Sequence, residues 1–155
     1  MITKEDELKL YLVGIFDGEG CICPSLRKDG YIGLFVSVSM ASESVIDLFI
    51  KIWGGSKGYR NPAKQNYLAR STWTVVGEKA LPFLEYFVSR SIVKQIQAEN
   101  AIILVKELIK YKHKRHGINN RLGEKCISLD EHLYRREIAL KIKLNNGARS
   151  RYAQQ

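Results

Sequence analysis

Two carboxylates, Asp17 and Glu19, alternate with Gly18 and Gly20 in the stretch LYLVGIFDGEGCI (Leu10–Ile22). The apolar residues before them, Leu8, Tyr11, Leu12, Ile15 and Phe16, recur at helical spacing. The acids therefore fall at a helix C-terminus, the negative end of the dipole, where carboxylates are disfavoured. Something positive should offset them. A hard divalent cation such as Mg²⁺ meets that need, since it takes one or two carboxylates, a carbonyl, waters and phosphate oxygens. Gly14 and Gly18 bare one face of the same helix, so a second helix can approach closely. The plainer alternative is that Gly18 only stops the helix and Gly14 packs on the protein's own sheet. If two copies meet along the glycine face, two acidic ends converge. Two metal-bound carboxylates beside two phosphates form an arrangement that hydrolyses phosphodiesters.

The chain has 155 residues and a formal net charge of +9. Such an excess on a small domain suggests a polyanionic partner, nucleic acid first, with a solvated basic surface as the alternative. The length suits one domain with its own core. Three cysteines are too few, and odd in number, for a disulfide scaffold, and fit a reducing compartment. Cys21 and Cys23 share one strand face, and Cα atoms about 7 Å apart argue against a disulfide between them; small contact residues are the expectation. His113 and His116 with Cys126 match no standard zinc spacing and read as solvated residues of a basic loop. No apolar run reaches the roughly 18 residues of a membrane span. The start, MITKEDELKL, has the character of neither a secretory signal nor a transit peptide. The expectation is a protein without a membrane partner that is not secreted and works where it is made: an organelle (mitochondrion or chloroplast), or a bacterial or phage cytoplasm.

The elements that must position these residues follow from caps and periodicity. Thr3 with Asp6 predicts a helix from about Lys4 that stops over Asp17–Gly20. Cys21–Arg27 alternates as a strand, with Pro24 marking an edge or a bulge, and Lys28–Gly33 is a turn before a second strand, Leu34–Met40. Ser42 and Glu43 open a helix carrying Val45, Ile46, Phe49, Ile50 and Trp53, stopped at Gly54 and Gly55. A second hairpin spans Tyr59–Val76 with its turn in Asn61–Asn66. Helices follow from about Lys79 to Val88 and from about Ile92 to Lys112, the latter with Ala98, Ile102, Val105 and Ile109 as its inner stripe. A basic loop (Lys110–Arg121), an amphipathic helix (Ser128–Leu144, with Ser128 and Glu131 as its cap) and a polar tail complete the chain. Residues 1–112 are thus the core, and 113–155 the loop, helix and tail of the same domain. The fold class is α+β: a four-stranded antiparallel sheet with helices on one face. The other face carries Ser25, Arg27, Ser37, Ser39, Arg70, Thr72 and Thr74, while Trp53 and Trp73 point to the core. A solvated face is one reading. The other is a sheet laid against DNA, whose side chains reach base edges in the major groove.

LVGIFDGEG (Leu12–Gly20) resembles the motif of the LAGLIDADG homing endonucleases, with Leu12, Gly14, Ile15, Asp17, Gly18, Glu19 and Gly20 fitting its pattern. The order of elements resembles the family's αββαββα fold, in which a saddle-shaped sheet lies on DNA; here a further C-terminal helix follows. VSVSMASESVIDLF is similar to the family's second strand and next helix, TWTVVGEKALPFLEYF to its fourth strand and next helix, and SIVKQIQAENAIIL to the segment with its catalytic-site lysine. The resemblance covers roughly the first 110 residues.

That resemblance implies a divalent-metal-dependent, intron-encoded DNA endonuclease cutting both strands, with Mg²⁺ or Mn²⁺ as cofactor and a 3′ hydroxyl left behind. A single motif implies a homodimer and a roughly palindromic target, with Tyr11, Gly14 and Gly18 at the dimer interface. Glu19 would hold the metal with the Gly18 carbonyl, Asp17 would structure the helix end, and Lys94 would stabilise charge near the scissile phosphate. Arg27, Arg60 and Arg70, with Cys21, Cys23, Ser25, Ser37, Ser39, Thr72 and Thr74, would contact double-stranded DNA. One position departs from the pattern. A polar residue, often Gln, follows the family's second strand, and here Met40 stands there. Met cannot orient a water, so Ser39 or Ser42 substitutes, the register shifts by one, or cleavage is weakened. The alternative function is an RNA maturase that helps its host intron RNA to splice, which needs the sheet and the basic tail but not Glu19.

Overall fold

The computed structural model describes residues 3–28, 30–60, 69–110 and 128–145. The expected turn at Asn61–Asn66, nearly all of the basic loop with His113 and His116, Cys126 and the tail after Asn145 lie outside the described residues.

Helix α1 (Lys4–Glu19) starts at a reciprocal capping box: Thr3 Oγ1 accepts the Asp6 N–H and the Asp6 carboxylate accepts the Thr3 N–H, both at 3.2 Å. It runs on through Glu19 rather than fraying at Asp17, and strand β1 (Gly20–Leu26) begins at the next residue. Gly20 makes that direct passage possible. A Cβ there would lie 2.4 Å from the Phe16 ring, and Phe16 is boxed in by Phe83 and Phe87 at centroid distances of 4.7 and 5.0 Å.

After β1 come β2 (Ile32–Met40), α2 (Glu43–Trp53), β3 (Ser56–Arg60), β4 (Arg70–Val76), a 3₁₀ turn (Gly77–Ala80), α3 (Leu81–Val88), α4 (Gln95–Lys110) and α5 (Leu129–Asn145). The αββαββα order is present, with two helices after α3. The strands pair antiparallel in the order β1-β2-β4-β3. Pro24 therefore sits on an edge strand, where a missing N–H is tolerated. The register sets Ile22 against Val36 and Val38 against Trp73, and these inward residues are buried under the helices. Trp73 is fully buried and stacks on Phe49 at 4.9 Å. Trp53 is half-buried against the core, edge-on to Phe83.

Several boundaries differ from the expected ones. Strand β3 begins at Ser56, not Tyr59, because Gly54 and Gly55, at φ of 68° and 95°, reverse the chain at once. A Cβ on Gly55 would meet the Thr74 carbonyl oxygen at 2.6 Å. The helix expected from Lys79 is split into the 3₁₀ turn and α3. Helix α4 starts at Gln95, not Ile92, because residues 91–94 form a capping turn held by Asp17. Its buried stripe is Ala98, Ala101, Leu104 and Val105, with Ile102 half-buried and Ile109 exposed. This stripe is rotated from the expected one because α4 packs against both α3 and α5.

Helix α5 opens on a second reciprocal cap, Ser128 N–H to Glu131 at 2.9 Å and Glu131 N–H to Ser128 Oγ at 3.2 Å. Its Ile138, Ala139 and Ile142 are buried in the common core, against α4 and the edge strand β1. Among the described residues, no helix is long and apolar enough to cross a membrane.

Candidate functional site

The end of α1 meets the start of α4, and the two acids of the motif part company there. Asp17 turns inward. Its carboxylate accepts the Ser91 hydroxyl at 2.5 Å and the backbone N–H groups of Ile92, Val93 and Lys94 at 2.9, 3.0 and 3.1 Å. Burial alone would push its pKa up, but those four donors outweigh it and hold the carboxyl below the ordinary carboxylate value. Ser91, itself buried, also accepts the Lys94 N–H at 2.9 Å. This clamp aims the Lys94 side chain back at α1. Its ammonium donates to the Asp17 carbonyl and lies 3.5 Å from that of Gly18. The positive group that the helix end requires is therefore supplied first by Lys94.

Glu19 turns outward. It is exposed, and among the described residues it makes no hydrogen bond or ion pair. Its carboxylate and the Gly18 carbonyl are hard oxygen donors beside open solvent, a set that suits Mg²⁺ when waters and phosphate oxygens complete the shell. No three His, Cys, Asp or Glu side chains cluster as a metal site among the described residues. Phosphate, water or a second chain could complete the shell of a cation here.

The outward face of α1 is bare. Among the described residues, a Cβ on Gly14 or Gly18 would find nothing within 4 Å, so neither glycine packs on the sheet. Tyr11, one turn earlier on the same face, is 55% exposed. At the C-terminal end of the same helix, the capping turn that Asp17 holds presents Ile92 and Val93, 90% and 70% exposed, with Ile96 just beyond. Contiguous uncovered apolar residues of this kind mark interaction surfaces. Residue reading missed Ile92, Val93 and Ile96, although they fall off the inner stripe of α4, which is the signal that could have flagged them. It also missed Ser91, whose position three residues before Lys94 is a serine capping pattern.

The polar face of the sheet is continuous with the helix end. Cys21, Ser37, Thr74 and Ser56 stand in one row across the four strands, and Ser39, Thr72 and Gly58 in another. Ser39 Oγ and Thr72 Oγ1 lie 2.6 Å apart. Arg60 and Arg70 oppose each other in register, both exposed. Like charges directly opposite are unfavourable unless an anion lies between or above them. Ser25 and Arg27 stand apart, at the far end of the first hairpin, with the Arg27 guanidinium 4.8 Å over the Tyr31 ring. Phe35 and Val76, paired in register, interrupt the polar face with an apolar row. Met40 belongs to the other side. It packs against the core, and Ser39 is the outward polar residue at that end of β2.

Cys21 and Cys23 come closer than their Cα spacing suggests: both are free thiols, and their sulfurs lie 2.9 Å apart. Donation from Cys23 favours a thiolate on Cys21, and with the Lys94 charge nearby it outweighs burial and pushes the Cys21 pKa down to about 6. Cys23 is pushed up, as the donor of that bond and by burial.

The sequence matches no protein-family model, and no curated protein matches it. Solved structures do resemble the fold. The homing endonuclease I-CvuI in complex with its target shares 20% identity over 88% of this chain and 80% of that one, with a TM-score of 0.67. The archaeal intron-encoded homing endonuclease I-Vdi141I, complexed with DNA, shares 16% over 92% and 86%, with a TM-score of 0.71. The LAGLIDADG homing endonuclease I-SmaMI, bound to cleaved DNA, shares 14%; there 84% of this chain overlays 48% of the other, with a TM-score of 0.56. At these identities the likeness is one of fold: the chain has the α+β homing-endonuclease architecture.

Proposed function

We propose that this protein is a site-specific homing endonuclease that hydrolyses both strands of a roughly palindromic, double-stranded DNA target as a homodimer, with Mg²⁺ or Mn²⁺. The observation that carries this reading is the division at the end of α1. A lysine is locked onto the helix-end carbonyls, and an exposed carboxylate without a partner among the described residues stands beside it, at the corner of a polar sheet face. I-CvuI and I-Vdi141I carry DNA on the same architecture, I-CvuI in the presence of calcium, which supports both the ligand and a divalent ion.

The dimer is supported by the bare Tyr11, Gly14 and Gly18 face with Ile92 and Val93 at its edge. It is supported also by the overlay on I-SmaMI, in which this chain spans about half of the larger protein. A two-fold axis along the glycine face brings two Glu19 carboxylates together, so that the second chain adds its donor to the first.

Glu19, with the Gly18 carbonyl, would hold the cation. When bound, it would supply Lewis-acid stabilisation of the phosphate and a more acidic water. The Lys94 ammonium offsets charge that develops on the phosphate oxygens, and the Asp17–Ser91 clamp keeps it in place. Arg60 and Arg70 share a phosphate and so relieve their mutual repulsion. Ser37, Ser39, Thr72 and Thr74 face the groove, dividing between backbone positioning and base readout. Arg27, stacked on Tyr31, reaches the outer end of the site.

The test is cleavage of a randomised palindromic DNA library with Mg²⁺, followed by the same assay on Glu19→Gln. Wild type should cut both strands. The variant should lose cleavage and keep its DNA affinity within about threefold, since a residue acting only in the chemical step leaves ground-state binding in place. A wild-type protein that cuts nothing but binds group I intron RNA tightly would replace this reading with the maturase one.

A further inference from the structure

Cys21 and Cys23 are half-buried free thiols on the outer face of β1, and the proposed cleavage chemistry uses neither. Their sulfurs, 2.9 Å apart, need to close by only about 0.9 Å to reach the roughly 2.05 Å of a disulfide. The pair lies on an edge strand, held by β2 on one side only, immediately after Glu19. Cys21 faces Ser37 and Cys23 faces Phe35, so both sulfurs lie on the face that the DNA reading assigns to the groove.

We propose that Cys21 and Cys23 are an oxidation site, converted by hydrogen peroxide into an intramolecular disulfide that weakens DNA binding. The effect on DNA rests on the function proposed above; the chemistry of the pair does not. In the first step one sulfur attacks the peroxide O–O bond, forming a sulfenic acid and releasing water. The second sulfur then attacks the first. The S–O bond breaks, the S–S bond forms and a second water leaves. Two thiols lose two electrons and two protons, and one peroxide is reduced to two waters.

The bond changes the strand. Cα atoms two residues apart in an extended strand sit about 7 Å from each other, just beyond the usual disulfide span. Closing the ring therefore puckers β1 and shifts Cys21, Cys23 and Ser25 against Ser37 and Thr74. A bond under such tension is readily reduced, which suits a reversible switch and not a structural staple.

The experiment exposes reduced protein to hydrogen peroxide, caps the remaining thiols with N-ethylmaleimide and reads the intact mass. The chain has three cysteines, so the oxidised product should take one maleimide instead of three, and peptide mapping should link Cys21 to Cys23. Affinity for duplex DNA should fall about tenfold, the scale of one lost groove contact, and return with dithiothreitol. In Cys21→Ser and Cys23→Ser, whatever their own affinities, peroxide should leave the affinity unchanged. A link to Cys126, sulfinic acids without a cross-link, or a cross-linked protein that binds DNA as the reduced one does would each overturn the proposal. If the Cys21–Cys23 link forms and the reduced protein binds no DNA, the oxidation site stands and the nuclease reading fails.

Discussion

Gly20 and Gly14 belong to one short motif, but a methyl group at Gly20 would press into the Phe16 ring at 2.4 Å, while one at Gly14 would touch nothing among the described residues. The acids divide in the same way. Asp17 is saturated by four donors from residues 91–94, and Glu19 has no partner among the described residues. The inward half of the motif builds the protein: it seats α1 on the aromatic core and ties its end to α4. The outward half, Gly14, Gly18 and Glu19, makes no side-chain packing contact among the described residues. In the function proposed above, these outward residues meet a second copy, a cation or a phosphate.

This contrast can be broken experimentally, and the largest expected effect is at Glu19. Glu19→Gln should lower cleavage about a thousandfold or more, as the loss of an electrostatic group in the reacting centre does, with the urea midpoint unmoved. A variant that unfolds at lower urea would place Glu19 among the structural residues instead. Next comes Gly14→Leu, which should weaken self-association about a hundredfold, close to 3 kcal/mol, by sedimentation. Its monomer should be no less stable, because glycine in a helix interior costs about 1 kcal/mol against better helix formers. An unchanged dimer would put the two-fold axis elsewhere.

Gly20→Ala should do the reverse. Phe16 cannot retreat from Phe83 and Phe87, so the added methyl should cost about 3 kcal/mol, the upper end of overpacking, with self-association per folded molecule unaltered. The smallest effect is at Asp17→Ala, about 2 kcal/mol, the scale of a lost helix cap. It should also lower cleavage without abolishing metal binding, because Lys94 loses its anchor.

Asp17 also sets a pH dependence. Its folded pKa lies below the unfolded value of about 3.9. Its contribution is complete above that value and is lost as pH falls through the folded pKa. Wild type should therefore lose its advantage over Asp17→Ala in urea titrations taken below about pH 4. A gap that persists undiminished into strong acid would mean that the charge on Asp17 is not what holds the junction.

Much of the fold was legible in the residues, for reasons that are local. The Thr3–Asp6 and Ser128–Glu131 caps, the alternation of Ile22, Val36 and Val38, and the stop at Gly54 each depend on neighbours within a few positions. The start of α4 was misplaced because its cap comes from Asp17, more than seventy positions away. The inner stripe of α4 was rotated because two helices, not one, lean on it. Met40 read as a missing polar group until the register placed its side chain on the core side.

What the sequence determined by itself is the order of helices and strands, the polar and apolar faces of the sheet, and the motif with its two acids. These follow from periodicity, caps and residue type, all of which act over a turn of helix or a pair of strand positions. Only the tertiary structure decided which acid faces in and which faces out. It alone set the Lys94 ammonium on the carbonyls of Asp17 and Gly18, and left the Gly14 face without a partner among the described residues. Those outcomes depend on how distant segments close against one another, and no local pattern in the chain encodes that closure.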